Sequence, residues 1–335
     1  MCFDGRAAGQ GDISGVRIRP FEDAGGVVWI AEPEGSARDL TSFWKAHDSE
    51  IEAVFRRAKG ILFRGFEVPD IEAFGHFVSE VSTPMQYIYR STPRTALGEH
   101  IYTATEYPAS RSIPLHCENA YQDVWPTRLM FYCDEPADVG GETPLADVSE
   151  VTRSLRPEIK EEFAAKRVKY VRNYREGLDL SWQTVFGTDQ RADVEAYCRR
   201  HGIRSTWLGN GELKTEQVCD AMVRHPETGE LLWFNQAHLF HVTSLDEATQ
   251  AALSSIYSED ELPRHAWFGD GSAIDPQMLE HIRGTYHRCA RSFPWRRTDV
   301  LLIDNLAVAH GRNPFRGKRR VLVAMGNRRS LRDRV

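Results

Sequence analysis

Short apolar runs broken by Pro and Gly stand at two places far apart in this chain, and that arrangement constrains the fold more than any other feature. The first group lies between about His100 and Asp147 as IYTATEY, PLHCENAY, TRLMFYC and ETPLADV; the second begins at residue 299 as DVLLIDN, AVAHGRNPF and RRVLVAMG. Runs of this length and punctuation predict the strands of an antiparallel barrel or jelly roll. The stretch between them is mixed, with helical spacing at Glu158 to Lys166, Asp189 to Arg200 and Asp246 to Ser258, and extended character at Arg167 to Tyr174 and Leu231 to Asn235. Strands on either side can complete one barrel. The 335 residues would admit two domains at roughly 100 to 200 residues each, but the pattern predicts a single domain over residues 16–335 with an insertion at about 149–290. Residues 1–15, rich in Gly, Ala and polar groups, read as a loose tail. Next come β-rich runs at Gly25 to Ala31 and Gly60 to Val68. Leu40, Phe43, Trp44, Ile51, Val54 and Phe55 lie between these at helical spacing, and Asp70 is placed to cap a further helix over 71–81.

Composition narrows the partners. With 42 basic and 48 acidic residues the formal charge is −6, so no global positive field draws the chain to nucleic acid or an anionic membrane. No apolar run reaches the ~18 residues of a membrane span, and the start MCFDG lacks the basic and apolar segments of a secretory leader; a cytoplasmic location is expected. Six cysteines lie far apart with no CxxC pair, and they read as reduced thiols.

His116-Cys117-Glu118 falls in an expected strand, where residues two apart share a face and can converge on one ion. His-x-Asp/Glu alone is a weak signal: His225-Pro226-Glu227 is a second instance, and Thr228-Gly229 behind it marks a hairpin turn instead. The first instance has a distant companion in Asp304-Asn305-Leu306-Ala307-Val308-Ala309-His310-Gly311-Arg312, with Arg320 ten residues beyond His310. Two His and one carboxylate form the facial triad that leaves positions open on iron(II).

Together these segments resemble the taurine dioxygenase and clavaminate synthase family of iron(II)/2-oxoglutarate-dependent oxygenases. The matching pieces are Leu62-Phe63-Arg64-Gly65-Phe66, Leu115 to Tyr121, Gly140 to Asp147, Trp233-Phe234-Asn235-Gln236, and His310-Gly311-Arg312 with Arg320, in family order from about Ile61 to Gly326. The resemblance implies a mainly β fold with α insertions, a double-stranded β-helix (jelly roll) flanked by helices. It implies iron(II) on His116, Glu118 and His310, 2-oxoglutarate hydrogen-bonded by Thr143 and paired through its distal carboxylate with Arg320, and dioxygen as the other reactant. A guanidinium suits that pairing because it offers a carboxylate a bidentate fork. Arg319 and Arg320 alternate sides of the strand, and the family pattern favours Arg320. Where some members carry another Arg four residues on, this chain has Ala324. Glu118 stands where halogenating members have a small residue, which disfavours halogenation.

Closest in character is the branch of syringomycin-type amino-acid hydroxylases. This implies hydroxylation of an unactivated C–H bond in an amino acid or amino-acid-derived substrate of natural-product biosynthesis, free or tethered to an acidic carrier protein. Desaturation or cyclisation would use the same residues. A small sulfonate or carboxylate is an alternative substrate, and a metal hydrolase or a non-catalytic binding protein on the same fold are readings from other classes. Asn235, Gln236 and Arg312 are candidates to face substrate, each with a structural alternative. Trp182, Trp207, Trp233 and Trp267 are read as core rather than lid, Cys117 as packing rather than ligation, and Arg64 as an anchor of the barrel edge. The basic run from Arg312 to Arg334 is a solvated face or a docking surface for an acidic carrier.

Overall fold

The computed structural model describes residues 11–85, 88–89, 94–98, 100–103, 107–175 and 177–330. Its centre is two facing sheets. The larger orders nine strands as Gly11–Ile13, Val16–Pro20, Trp29–Pro33, Gly60–Phe63, Val300–Asp304, Val124–Glu135, Arg320–Ser330, Ile101–Thr103 and Ala96–Gly98. The smaller orders Leu145–Asp147, Val308–Arg312 and Ile113–His116. Every named pairing in these sheets is antiparallel except Trp29–Pro33 with Gly60–Phe63, which are parallel and joined through helix α1 (Leu40–Ala58). This is the expected jelly roll.

Side-chain alternation builds three packed layers from those sheets. Leu129, Phe131, Cys133, Leu301, Ile303, Val321, Val323 and Met325 face inward and meet Leu145 and Val308 of the smaller sheet. Their neighbours Met130, Tyr132, Val300, Leu302, Leu322 and Ala324 face outward against α1 and α2 (Ile71–Val81). Asp39 caps α1 at the Ser42 amide, and Asp70 caps α2 by accepting from the Ala73 amide at 2.9 Å. Beyond the smaller sheet, the chain between Asp147 and Val300 forms helices and its own antiparallel sheet, ordered Arg204–Trp207, Leu213–Cys219, Val168–Tyr174 and Arg264–Phe268. The core of that unit is continuous with Leu115, Ala146, Leu306 and Ala309 on the smaller sheet's back. No helix among the described residues is long and apolar enough to cross a membrane.

A strand falls within the stretch expected to be tail. Gly11–Ile13 pairs with Val16–Pro20 across Ser14-Gly15, both at positive φ (51° and 75°), the backbone of a two-residue hairpin turn. Residues 1–10 of the expected tail lie outside the described residues, as do 104–106 of the expected IYTATEY strand and 331–334 of the basic run. Arg64 does anchor the barrel edge: its guanidinium grips both oxygens of Asp299 at 3.0 and 2.7 Å and the Pro294 carbonyl at 3.0 Å. Trp182 and Trp207 pack edge to face at 5.2 Å, Trp233 is fully buried and Trp267 nearly so. Trp182, Trp233 and Trp267 are thus buried, while Trp207 is partly buried and packs against the core from its margin.

Candidate metal centre

The strands Ile113–His116 and Val308–Arg312 lie side by side with His116 and His310 as register partners. Directly paired residues project to the same face, and the two imidazole centroids come within 4.5 Å. Gly311 permits this closeness, since a Cβ there would stand 2.5 Å from the Ile113 carbonyl oxygen. Glu118 reaches the same point by a different route. Its strand ends at His116, and Glu118 lies in the turn that follows, with Asn119 behind it at φ 60°. Strand alternation is therefore not what aims the carboxylate, although it arrives where alternation would have put it.

One donor atom from each of His116, Glu118 and His310 falls within 4.8 Å of the others. Glu118 and His310 are buried and His116 is partly exposed. His116 Nδ1 lies 2.9 Å from the Pro114 carbonyl oxygen, which makes it the N–H donor and leaves Nε2 with its lone pair. Desolvation lowers the His116 pKa against the pull of Glu118, and desolvation with His116 and Arg94 nearby takes His310 well below its ordinary value. Both rings are thus neutral near pH 7, the form that ligates metals. His310 Nδ1 is buried without a protein hydrogen-bond partner. Two neutral imidazoles and one carboxylate, with His310 Nε2 3.8 Å from Glu118 Oε2, fit a divalent transition metal. Cys117 turns into the core behind the strand, and burial raises its pKa beyond the ordinary thiol range, so it remains a packing group.

His116 and His310 border a cleft of about 30 Å³ lined also by Arg94, Ile113, Phe131, Thr143, Gly311, Arg312, Arg319, Val321 and Val323, and Glu118 is paired with Arg94 of that lining. Two roomier cavities, of about 320 and 500 Å³, share His225, Pro226 and Arg329 and contain none of the triad. Volume does not mark the site; the donor set does. Thr143 is buried, and its hydroxyl oxygen accepts the Trp295 indole N–H at 3.1 Å.

Arg320 is not in this cleft. Its side chain is 53% exposed and pairs with Asp134 on the neighbouring strand, at a register irregularity between Arg320 and Val321. Inward-facing Val321 and Val323 set the phase, and two residues back from Val321 that phase selects Arg319. Arg319 Nε donates to the Gly141 carbonyl at 2.8 Å, and its terminal nitrogens are left to the cleft. Gly141, at φ 74°, lets the two segments meet: a Cβ there would come 3.0 Å from Arg319 Cδ. Desolvation, reinforced by Arg312, pulls the Arg319 pKa down to about 10, so it is a charged group held in a dry place.

The other sequence candidates are engaged with backbone. Asn235 donates to the Ala221 carbonyl at 3.0 Å and accepts the Ala237 amide at 3.1 Å, bracing its own turn. Gln236 donates to the Cys117 carbonyl at 2.7 Å. Arg312 lines the cleft, yet its guanidinium is bound to the carbonyls of Tyr107, Pro108 and Arg111 at 2.9, 2.7 and 2.7 Å, so it fastens that loop to the rim. Arg94, a cleft residue absent from the sequence reading, donates to Glu118 Oε2 at 2.8 Å with its side chain 5% exposed. It stands in a Thr-Pro-Arg-Thr stretch that carries no periodic signal.

Comparison with known proteins agrees with this geometry. The family model "Taurine catabolism dioxygenase TauD, TfdA family" matches residues 18–325. Dapdiamide synthesis protein DdaC of Enterobacter agglomerans is 39% identical over 309 residues, spanning 92% of this chain and 93% of that protein. A clavaminate synthase-like protein of Arabidopsis thaliana is 29% identical over 298 residues, 85% of this chain and 87% of that one. Among solved structures, PvcB from Pseudomonas aeruginosa superposes with a TM-score of 0.55 at 17% identity, covering 96% and 94% of the two chains. AAD-2, solved with Mn(II) and N-oxalylglycine, gives 0.52 at 12% identity over 92% and 96%. These two likenesses establish the fold.

Proposed function

The chain belongs to the TauD/TfdA dioxygenase family, and from that membership we propose that it hydroxylates an unactivated C–H bond of an amino acid or amino-acid-derived substrate, using iron(II), 2-oxoglutarate and dioxygen. The observation that carries this reading is that His116 and His310 line the same cleft as Thr143 and Arg319, with Glu118 grouped with the two imidazoles and paired with Arg94 of that lining. Iron(II) held by the triad would supply dioxygen activation coupled to decarboxylation of 2-oxoglutarate to succinate.

The chain's own residues do the remaining work. Arg319 receives the distal carboxylate of 2-oxoglutarate on its free fork, a bidentate contact that sets orientation as well as affinity. Thr143 has its oxygen occupied by Trp295, which directs its own hydroxyl proton toward the co-substrate. Ile113, Phe131, Val321 and Val323 give the cleft apolar walls that exclude water.

Charge bears on the substrate. Three guanidiniums, Arg94, Arg312 and Arg319, and one carboxylate, Glu118, surround the site. A divalent metal adds two positive charges and 2-oxoglutarate removes two, so a surplus remains that favours an anionic substrate. An amino-acid scaffold has such a group, and the 39% identical relative is a dapdiamide synthesis protein. Delivery on an acidic carrier is a second form of this reading, favoured by exposed Arg316, Lys318 and Arg320 on the approach to Arg319.

Anaerobic addition of iron(II) and 2-oxoglutarate should give a weak metal-to-ligand charge-transfer band in the wild type and none in His116→Ala, which should also lose substrate-dependent succinate formation. A wild type without the band, hydrolysing a substrate with zinc, would overturn the assignment.

A further inference from the structure

We propose that Asn305, assisted by Gln236 and His238, is the positioning residue of the metal centre: it fixes the Glu118 backbone and ties it to the turn leading to His310. The inference rests on reading His116, Glu118 and His310 as the ligands. It starts from the end of the Ile113–His116 strand. There the chain enters the core, where backbone polar groups that the short strand and the following turn leave under-paired need other partners.

Side chains from two distant segments supply them. His238 Nε2 lies 3.1 Å from the Leu115 carbonyl, and Gln236 donates to the Cys117 carbonyl at 2.7 Å. Asn305 holds Glu118 from both sides: its Oδ1 accepts the Glu118 amide at 2.7 Å, and its Nδ2 donates at 2.9 Å to the carbonyls of both Glu118 and Pro126. Asn305 is 0% exposed. Only a primary amide combines an acceptor and two donors on one plane. Aspartate has nearly the same shape and would set acceptors against two carbonyl oxygens.

Asn305 also sits in the turn between Val300–Asp304 and Val308–Arg312, five residues before His310. Ligands 192 residues apart in sequence, at 118 and 310, therefore hang from one side chain. Asp304 stiffens the turn by accepting the Leu306 amide at 2.8 Å. Groups that orient metal ligands in this way cost about 10- to 100-fold in metal affinity when removed.

The test uses the full chain as wild type, Asn305→Ala, Asn305→Asp and Gln236→Leu. Mn(II) affinity is measured by calorimetry, amide exchange at Glu118 is followed in metal-free protein, and melting is recorded for each. Val300→Ala, in the outer layer of the sheet, serves as a control for stability alone. The expected result is Mn(II) binding about 10- to 100-fold weaker in Asn305→Ala, at least as weak in Asn305→Asp, and faster Glu118 exchange in both, with Val300→Ala melting lower but binding as wild type. A folded Asn305→Ala or Asn305→Asp with wild-type affinity overturns the proposal. If neither folds, Gln236→Leu decides by the same criterion. A wild type that fails to bind Mn(II) overturns the ligand reading instead, while a Glu118 amide protected in wild type and released in Asn305→Ala would still support the clamp.

Discussion

Arg319 and Arg320 are separated by one peptide bond and meet opposite environments, a dry cleft and a solvated ion pair with Asp134. A one-residue step turns a strand side chain to the other face, so the two substitutions should behave differently. Arg319→Leu should raise the 2-oxoglutarate requirement by the 2 to 5 kcal/mol that loss of a buried charge partner costs, roughly 30-fold or more, read as KM for 2-oxoglutarate at saturating iron. Arg320→Gln should change KM less than about threefold, as the partly exposed pair contributes about 1 kcal/mol or less. Equal effects, or the reverse order, would return the role to Arg320. The sequence Arg-Arg-Val-Leu-Val-Ala-Met could not reveal this phase, because both faces of the strand are covered and both are apolar. Where one face was wet or a turn intervened, local reading did better: the Asp70 cap and the hairpin at Thr228-Gly229 are both present.

At the scale of elements, the hairpin Met222–Arg224 with Leu231–Trp233 is fastened to the barrel through His225, whose Nε2 lies 2.9 Å from Asp304 Oδ2. The hydrogen bond to Asp304 raises the His225 pKa above its ordinary value; burial opposes this, Asp304 and Glu227 add to it, and Lys59 subtracts. A group raised in the folded state stabilises fully below its unfolded pKa, about 6.5 for histidine, and loses that contribution as pH rises through the folded value. Urea midpoints of wild type and His225→Gln should therefore differ most below pH 6.5 and converge as the solution becomes alkaline. A constant gap across that range would show that the contact acts through packing alone. The sequence showed the turn chemistry of this hairpin but not its partner, because Asp304 is 79 residues away and no local pattern encodes such a pairing.

For the whole molecule, the insertion shares a core with the back of the smaller sheet. We propose on that basis that residues 16–335 form one folding unit, with the Gly11–Ile13 strand added at its edge. Calorimetry should show one transition whose van't Hoff and calorimetric enthalpies agree. Mn(II) and 2-oxoglutarate should raise its midpoint, by about 2.7 kcal/mol of added stability at a hundredfold excess over Kd; two separable transitions would divide the chain. The broad architecture was legible because strand punctuation and the recurring ligand motif are local. The roles of Arg94, Trp295 and Asn305 were not, since each is defined by a partner from another part of the chain.

A catalyst that brings iron and oxygen together must survive its own stray oxidants. Oxidation of a thiol proceeds through its thiolate and depends on access, and the five described cysteines are all buried. Desolvation pushes their pKa values upward, Cys133 to about 12 and Cys198 to about 11, with Cys117, Cys219 and Cys289 moved in the same direction. At neutral pH these sulfurs are almost entirely protonated and enclosed in hydrocarbon. The packing that supports the barrel thus also passivates these thiols: among the described cysteines a misfired turnover finds almost no accessible thiolate to consume.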